Sequence, residues 1–397
     1  MNHGWEKKKF GECCEIVRGG SPRPIQSYLT ESVNGLNWIK IGDVAPGSKY
    51  ITTTKEKIKP EGLSKTRQVF KGDFILSNSM SFGRPYILKI DGCIHDGWLA
   101  IKNVNKYFNP DYLFYYLSSP ITYSEFERLV KGGVVSNLNS DIVRGLVVSI
   151  PPIEVQNQIV SELDKLNELI EIKLKQLKDL DSLAQSLFYE TFGDPIENPK
   201  GWEIAKLGKI NEISSAKRVL VQDIVDSGVP FIRGTELAIL SKQNTFDPSI
   251  FTMFMTPSHY EKVKAITGVP KLNDLLIPSI NADGYVWEVN TPDPIYFKDG
   301  RVLWVHVNHE IYSSKWLKFA LSKVIIEKYA NLSRGAVFAE LTLVFLRNLD
   351  MMVPPLPLQT EFAAKIESIE QQKSRIESTI ADLQTLLESR MDYWFND

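Results

Sequence analysis

Cysteine is scarce in this chain of 397 residues: Cys13, Cys14 and Cys93 are all there is. An odd count with two neighbours gives no disulfide framework and no metal-binding spacing. Reduced thiols in a reducing compartment, the cytoplasm, are expected. No run of about 18 apolar residues exists, so no membrane-spanning helix and no membrane partner are expected. The start Met1-Asn2-His3-Gly4-Trp5-Glu6 lacks the apolar stretch of a signal peptide. Also absent is the basic excess of many nucleic-acid binders, because 46 Lys and Arg face 48 Asp and Glu, for a net charge of −2. That excludes little, since basic side chains can gather on one face of a neutral protein.

Enzyme signatures are missing as well. There is no Gly-x-x-x-x-Gly-Lys-Ser/Thr phosphate loop, no Gly-x-Gly-x-x-Gly fingerprint and no Gly-x-Ser-x-Gly elbow. The Asn/Asp-Pro-Pro-Tyr/Phe motif of amino-methyltransferases is lacking too, because the two Pro-Pro pairs precede Ile153 and Leu356. His306 and His309 are spaced like a weak metal pair, but they read as histidines at a strand end, and no metal is expected. Pro110-Asp111 and Pro292-Asp293 could open a nuclease motif. The Glu-x-Lys nearest the first, Glu171-Ile172-Lys173, falls on a helix. No catalytic residues are assigned.

What the chain does have is an internal repeat. Residues 131–194 align with 334–397 without a gap, at an offset of 203 (Lys131 onto Arg334, Asp194 onto Asp397). Leu138, Arg144 and Leu146 fall on Leu341, Arg347 and Leu349. Pro151-Pro152 falls on Pro354-Pro355, and Gln156 on Gln359. Upstream the match is looser. Trp5-Glu6 before Phe10-Gly11 resembles Trp202-Glu203 before Leu207-Gly208, at an offset of 197 (Trp5 onto Trp202). Trp38–Val44 resembles Phe231–Leu237, at an offset of 193 (Trp38 onto Phe231). Drifting offsets mean insertions and deletions in surface loops. A constant frame carrying variable loops suits a recognition scaffold.

After each Pro-Pro pair comes a long amphipathic helix. From Val155 to Glu190 there is neither Gly nor Pro, and apolar residues recur in steps of mostly three and four, until Gly193-Asp194-Pro195 stops the helix. About 36 residues would span roughly 54 Å. The seam runs through Leu163, Leu166, Ile170, Leu174, Leu177 and Leu180 in the first copy. In the second it runs through Ile366, Ile369, Ile376, Ile380 and Leu383, with Lys373 where Ile170 stands in the first. Such stripes are not stable alone. The two helices are expected to pair antiparallel as a coiled coil, related by a pseudo-twofold.

In the globular stretches, short apolar runs alternate with turns. Strands are expected at Trp38–Val44, within Val69–Leu76, and at Tyr86–Ile90 and Trp98–Ile101, with a helix at Pro110–Leu117. The second copy offers Pro230–Arg233, Leu275–Pro278, Tyr285–Val289 and Arg301–Val307, with a helix at Ser314–Lys323. The fold class is α/β in composition, more strictly α+β: two globular domains with mainly antiparallel sheets and few helices, joined by the two long helices. The expected segments are 1–150, a helix over 151–194, 195–353, and a helix over 354–397.

These pieces resemble the specificity subunit of type I restriction–modification enzymes. The resemblance rests on Trp-x-x-x-x-Phe/Leu-Gly opening each copy, the Trp38–Val44 strand, Gly72-Asp73-Phe74-Ile75-Leu76-Ser77, and Pro-Pro followed by Gln and a long helix. The order occurs twice and covers essentially the whole chain. The family usually has Glu directly before that Gln, where this chain has Val155 and Leu358. The resemblance implies that each globular domain is a target-recognition domain reading one half of a bipartite, asymmetric site in double-stranded DNA. The helices would set the spacing and dock two methyltransferase subunits, which carry S-adenosylmethionine. Restriction/translocase subunits using ATP and Mg would join them, and this chain would hold no cofactor and catalyse neither reaction.

Base reading needs Arg, Lys, Asn, Gln, Ser or Thr on loops. The candidates in the first copy are Arg18, Arg23, Lys40, Lys65, Arg67, Asn78, Ser81 and Arg84. In the second they are Arg218, Arg233, Thr235, Lys264, Ser279, Asn281 and Tyr285. Gly19-Gly20 reads as a turn rather than a phosphate cradle. The competing interpretation, favoured by the near-neutral charge, is a coiled-coil protein–protein scaffold with no DNA role.

Overall fold

Alternating burial explains the strands. In Trp98–Lys102, Leu99 and Ile101 enter one apolar cluster while Trp98 and Ala100 enter another. Phe74–Ser77 does the same, with Phe74 and Leu76 on one side and Ile75 on the other. A strand covered on both faces needs a continuous apolar run rather than an alternating one. The second copy repeats the arrangement through Val302–His306, whose Leu303 and Val305 join one cluster and Val302 and Trp304 another. The computed structural model describes residues 4–44, 47–78, 82–131, 137–332 and 339–396.

Contacts group the chain into two units: residues 1–175 with 377–397, and residues 176–376. Each globular stretch therefore folds together with portions of both long helices.

The first unit has one sheet ordered Glu15–Arg18, Trp98–Lys102, Phe74–Ser77, Pro85–Leu88, Tyr50–Ile51. All its pairings are antiparallel except the last. Its other five-stranded sheet is ordered Leu29–Thr30, Glu56–Ile58, Leu36–Ile39, Gly92–Ile94, Arg67–Val69. The expected strand at Trp38–Val44 stops at Ile39, and a 3-10 turn takes Ile41–Asp43.

The second unit has two four-stranded sheets. One is ordered Glu212–Ser215, Val302–His306, Leu275–Pro278, Trp287–Glu288, and the other Ile224–Val225, Phe254–Met255, Val229–Ile232, Tyr296–Phe297. Pairing is mainly antiparallel in both units, as expected. Helices are more numerous than expected, with Pro120–Lys131, Gly234–Gln243 and Pro257–Thr267 additional, and the helix from Ser314 continuing to Leu332. Two of the additional helices open on Pro, which suits a first helical position.

Both copies share one frame. Glu6–Lys9 pairs antiparallel with Val147–Ile150, and Glu203–Lys206 with Asp350–Val353. An ideal Cβ on Gly11 would lie 2.9 Å from Arg144 Cβ, and one on Gly208 2.7 Å from Arg347 Cβ, so glycine permits the close packing. Those arginines reach equivalent carbonyls, Arg144 that of Ile16 at 2.5 Å and Arg347 that of Ile213 at 2.6 Å. Gln156 is buried. Its Nε2 donates to the carbonyls of Tyr107 and Pro151, both at 2.9 Å, and its Oε1 accepts from Asn109 N–H at 2.7 Å. Gln359 repeats this with Ile311 (3.0 Å), Pro354 (2.7 Å) and Ser313 N–H (2.9 Å). The Gln after each Pro-Pro pair thus satisfies three backbone groups and ties two segments together.

The long helices span Ile153–Phe192 and Leu356–Phe395. In the first unit Ile159, Val160 and Leu163 share a cluster with Met391 and Phe395. In the second, Ala184, Phe188 and Phe192 share one with Phe362, Ile366 and Ile369. Early turns of one helix thus meet late turns of the other, so they run antiparallel within each unit. Leu163, Leu166, Ile170, Ile366, Ile369 and Ile380 are buried, while Leu177, Leu180 and Leu383 are half-buried. Leu174 departs from the expected seam, being 46% exposed. Lys373 pairs with Asp181 at 2.6 Å.

The three cysteines are free, and burial pushes the Cys14 and Cys93 thiols up to about 12 and about 11. Neither is a thiolate near neutrality. Among the described residues, no helix is long and apolar enough to cross a membrane.

Candidate nucleic-acid interface

In the first unit, five predicted basic residues surround one turn. Glu15–Arg18 pairs with Trp98–Lys102, setting Arg18 opposite Leu99. The chain then passes close under residues 94–98, where Gly19 N–H donates to Trp98 O (2.9 Å) and Gly20 N–H to Ile94 O (3.2 Å). A Cβ on Gly19 would lie 2.1 Å from His95 O, so only glycine fits there. Gly19-Gly20 is thus a close backbone crossing.

Asp96, at the centre of this turn, gathers the surrounding groups. Its carboxylate accepts from Ser21 Oγ (2.7 Å) and lies 3.7 Å from the Arg23 guanidinium. Its carbonyl accepts from Arg18 Nε (3.2 Å) and Asn78 Nδ2 (2.9 Å). The Ser21 hydrogen bond, with smaller help from His95 and Arg18, holds its carboxyl below the usual range. His95 Nδ1 accepts from Gly97 N–H at 2.7 Å, and burial lowers its pKa, so the ring is uncharged at neutral pH. Arg67 sits opposite Ile94 in the adjoining sheet. Lys65 donates to Tyr28 Oη at 2.6 Å, its ammonium 5.0 Å from that ring. Lys40 pairs with Glu56 at 2.7 Å. A cavity of about 370 Å³ opens among Arg23, Gln26, Trp38, Lys40, Glu56 and His95.

Two of the other first-copy candidates lie elsewhere or act differently. Asn78 is 4% exposed and structural: its carbonyl accepts from Leu138 N–H, besides its Asp96 bond. Arg84 is exposed but lines a different cavity, with Phe82 and Tyr123. Ser81 lies outside the described residues.

The second-copy candidates do not converge on one turn. Arg218 is exposed beside Lys217, whose N–H donates to Tyr296 Oη at 2.8 Å. Arg233 is committed to Glu236 through both nitrogens of its fork. Burial acts to raise the Glu236 carboxyl, but Arg233 and two backbone N–H groups outweigh it and hold it low. Thr235 Oγ1 donates to the same carboxylate at 3.1 Å. Lys264 pairs with Glu261 at 3.3 Å. Ser279 and Asn281 are buried rather than available to a base. Asn281 braces Tyr285, donating to its carbonyl (2.8 Å) and accepting from its N–H (2.6 Å). Tyr285 is half-buried beneath Lys242, 5.2 Å from the ring.

One correspondence survives the divergence. Lys40 N–H donates to Asp43 (2.8 Å) at the end of Leu36–Ile39, and Arg233 N–H donates to Glu236 (3.0 Å) at the end of Val229–Ile232. Both cations stand where a strand turns into a helix, and the side chain of each has a carboxylate partner, Glu56 or Glu236.

Sequence reading missed Ser21, Tyr28, Glu56, His95 and Asp96. The only sign was the Gly-flanked His95-Asp96-Gly97 turn, because residues 15–20 and 94–98 meet only in the fold. His306 is structural: Nε2 lies 2.8 Å from Ser214 Oγ, and the ring stacks at 3.7 Å on Trp304. Among the described residues no group of three or more His, Cys, Asp or Glu could hold a metal ion.

Residues 2–181 match the family of type I restriction modification DNA specificity domains. The chain is 21% identical over 416 residues to the type I restriction enzyme MjaVIII specificity subunit of Methanocaldococcus jannaschii, covering 96% of this chain and 92% of that protein. It is 27% identical over 251 residues to the MjaIX specificity subunit of the same organism, covering 58% of this chain and 57% of that one. Among solved structures, a chain from work on complex assembly and conformational transition of the type I R-M system is similar, with TM-score 0.63, 20% identity and coverage of 98% and 97%. The type I restriction-modification S subunit from M. genitalium aligns with TM-score 0.51, 14% identity and coverage of 99% and 96%. At these identities the two structures speak to the fold, which they share with this chain. With the repeated frame, the paired long helices and the matched domain together, the chain carries a type I restriction modification DNA specificity domain over residues 2–181 and is similar along its length to specificity subunits of type I restriction enzymes.

Proposed function

We propose that this chain is the DNA sequence-recognition subunit of a type I restriction–modification complex, with each globular domain reading one half of a bipartite, asymmetric site. The specificity-domain match over residues 2–181 carries this conclusion. The five basic residues around the Asp96 turn support it, since phosphate contacts position a protein on DNA while base contacts specify sequence. Divergent second-copy loops suit a second half-site of different sequence.

The long helices set the distance between half-sites and dock two methyltransferase subunits, joined by restriction/translocase subunits. Methyl transfer with S-adenosylmethionine and ATP- and Mg-dependent restriction belong to those partners. The chain contributes recognition and geometry in the cytoplasm.

The first test is co-expression with a type I methyltransferase subunit, followed by single-molecule sequencing for methylated adenine. A bipartite motif with a fixed gap, lost when this chain is omitted, is expected. A stable complex that leaves no methylation in DNA would point to the scaffold alternative. The spacing role has its own test. Deleting one heptad at matched positions in each helix removes about 10 Å. The preferred gap should then shorten by about three base pairs, at roughly 3.4 Å each. An unchanged gap refutes the role of the helices as a ruler.

A further inference from the structure

The second unit contains a cavity that shares only Tyr285 with the residues considered for base reading. It has a volume of about 350 Å³, within the range of about 300–1,000 Å³ typical of small-ligand sites. Phe188 and Tyr189 of the first long helix form one wall, Lys318, Phe319 and Lys323 of the Ser314–Leu332 helix another, and Gly284-Tyr285-Val286 a third.

The two lysines of the cavity form no ion pair: among the described residues no carboxylate lies within ion-pairing distance of Lys318 or Lys323. The nearby carboxylates Glu288 and Glu370 are both engaged by Lys315, at 3.4 and 3.0 Å. Lys318 donates to the amide oxygen of Asn244, and the Lys323 ammonium lies 5.8 Å from the Tyr189 ring. Burial lowers the Lys318 ammonium below the ordinary lysine range. An arriving anion would restore what that burial costs. Asp283 is the lone carboxylate in the lining, and it is exposed.

The first unit has a cavity at the equivalent place, with different residues but the same chemistry. Gly83 (φ +79°) and Gly284 (φ +70°) occupy corresponding left-handed positions before the strands Pro85–Leu88 and Trp287–Glu288. Beside Gly83 a cavity of about 470 Å³ holds Arg84, Tyr86, and Phe82 stacked on Tyr123 at 5.7 Å. A cation beside aromatic faces therefore recurs although the side chains that supply it differ.

We propose that the second-unit cavity binds a nucleotide, its base against Phe188, Tyr189 and Phe319 and its phosphate toward Lys318 and Lys323. Aromatic faces stack bases irrespective of sequence, and ammonium groups bind phosphate as point charges. The nucleotide is either free in solution or one turned out of bound DNA, as base-flipping proteins do. Only the second source rests on the DNA-recognition reading.

Calorimetry on the full chain with AMP, adenosine and inorganic phosphate tests this. AMP should bind at least about tenfold more tightly than either fragment, and Lys323→Met should weaken AMP about tenfold, as expected for a lost charge-assisted contact. Lys318→Met should do the same, and Lys323→Met, which breaks no hydrogen bond to Asn244, guards against misfolding in that variant. No AMP binding, or affinity unchanged in both variants, overturns the proposal. For the source, 2-aminopurine riboside monophosphate is bound first and DNA added. Displacement by a duplex carrying the methylated motif, and not by an unrelated duplex, assigns the cavity to a nucleotide of bound DNA. Retention assigns it to free nucleotide. If the chain binds AMP but no DNA, recognition fails and the cavity stands. If it binds DNA but not AMP, the reverse holds.

Discussion

The two globular domains sit on their long helices through the same frame but through different polar chemistry. In the first unit Tyr115 Oη donates to Asp164 at 2.5 Å and accepts from Asn167 Nδ2 at 3.1 Å, while Lys49 bonds Asp111 at 2.7 Å. In the second unit the position matching Asn167 is Glu370. It pairs with Lys315 and accepts from Asn244 Nδ2 at 2.7 Å, and Lys315 also reaches the buried Glu288. Burial acts to lower the Lys315 ammonium, but Glu288 and Glu370 together raise it. One domain is held by a phenol shared between a carboxylate and one amide with a flanking ion pair, the other by a half-buried network of charge. The frame is thus what repetition preserves, and the polar docking is what each copy solved separately.

Breaking the frame should hurt both copies alike and most severely. Gln156→Leu and Gln359→Leu each leave one N–H and two carbonyls without their partner, at an expected cost of about 2–4 kcal/mol. Residue-resolved hydrogen exchange should show the loss confined to the mutated unit, and a tolerated substitution would show that the Gln is not a keystone.

Next come the close glycines. Gly208→Ala and Gly11→Ala should cost about 1–3 kcal/mol by overpacking against Arg347 and Arg144. The second should be the milder, given its 2.9 Å rather than 2.7 Å approach. Denaturant unfolding decides the order.

The docking chemistries should then separate. Glu370→Leu strands Lys315 beside one carboxylate and should cost about 1–2 kcal/mol, a value discounted for partial exposure. Asn167→Ala at the matching position removes a neutral bond and should cost about 0.5–1.5 kcal/mol. Raising salt should narrow the first difference and leave the second. Equal salt response would erase the distinction.

The smallest effect depends on pH. Glu162 is held below its ordinary value of 4.5, chiefly by hydrogen bonds from Arg390. A depressed carboxyl stabilises above its unfolded pKa, and the benefit fades as pH falls through the folded one. Glu162→Gln should therefore lower the melting temperature at pH 6 and make no difference in strong acid. A gap that persists in acid would deny the ion pair its role. The second unit has no counterpart, since Leu187 occupies the place of Arg390.

The frame was legible in the sequence because its parts are local and repeated: Pro-Pro-x-x-x-Gln, Arg144 with Arg347, Gly11 with Gly208, and an unbroken helical period. The seam was read too generously at Leu174, which satisfies the period but not the packing. The candidate interface was legible only in half. Exposed Arg and Lys could be guessed from type, but Asn78 and Asn281 spend equally suitable side chains inside the fold, and Ser279 is buried. Asp96 could not be found, because its partners Arg18, Ser21 and Asn78 come from distant stretches of chain. The helices Gly234–Gln243 and Pro257–Thr267 were missed because their apolar stripes are short and much of their surface is polar.

Nearly every contact of the frame ends on a main-chain atom. Gln156 addresses the backbone of Tyr107, Asn109 and Pro151, Arg144 that of Ile16, and Tyr112 that of Ser149. A carbonyl offers the same oxygen whatever side chain it carries. Lineages can therefore exchange or rewrite the residues that face a ligand while the joints beneath them go on closing, and a new preference can arise without a new fold.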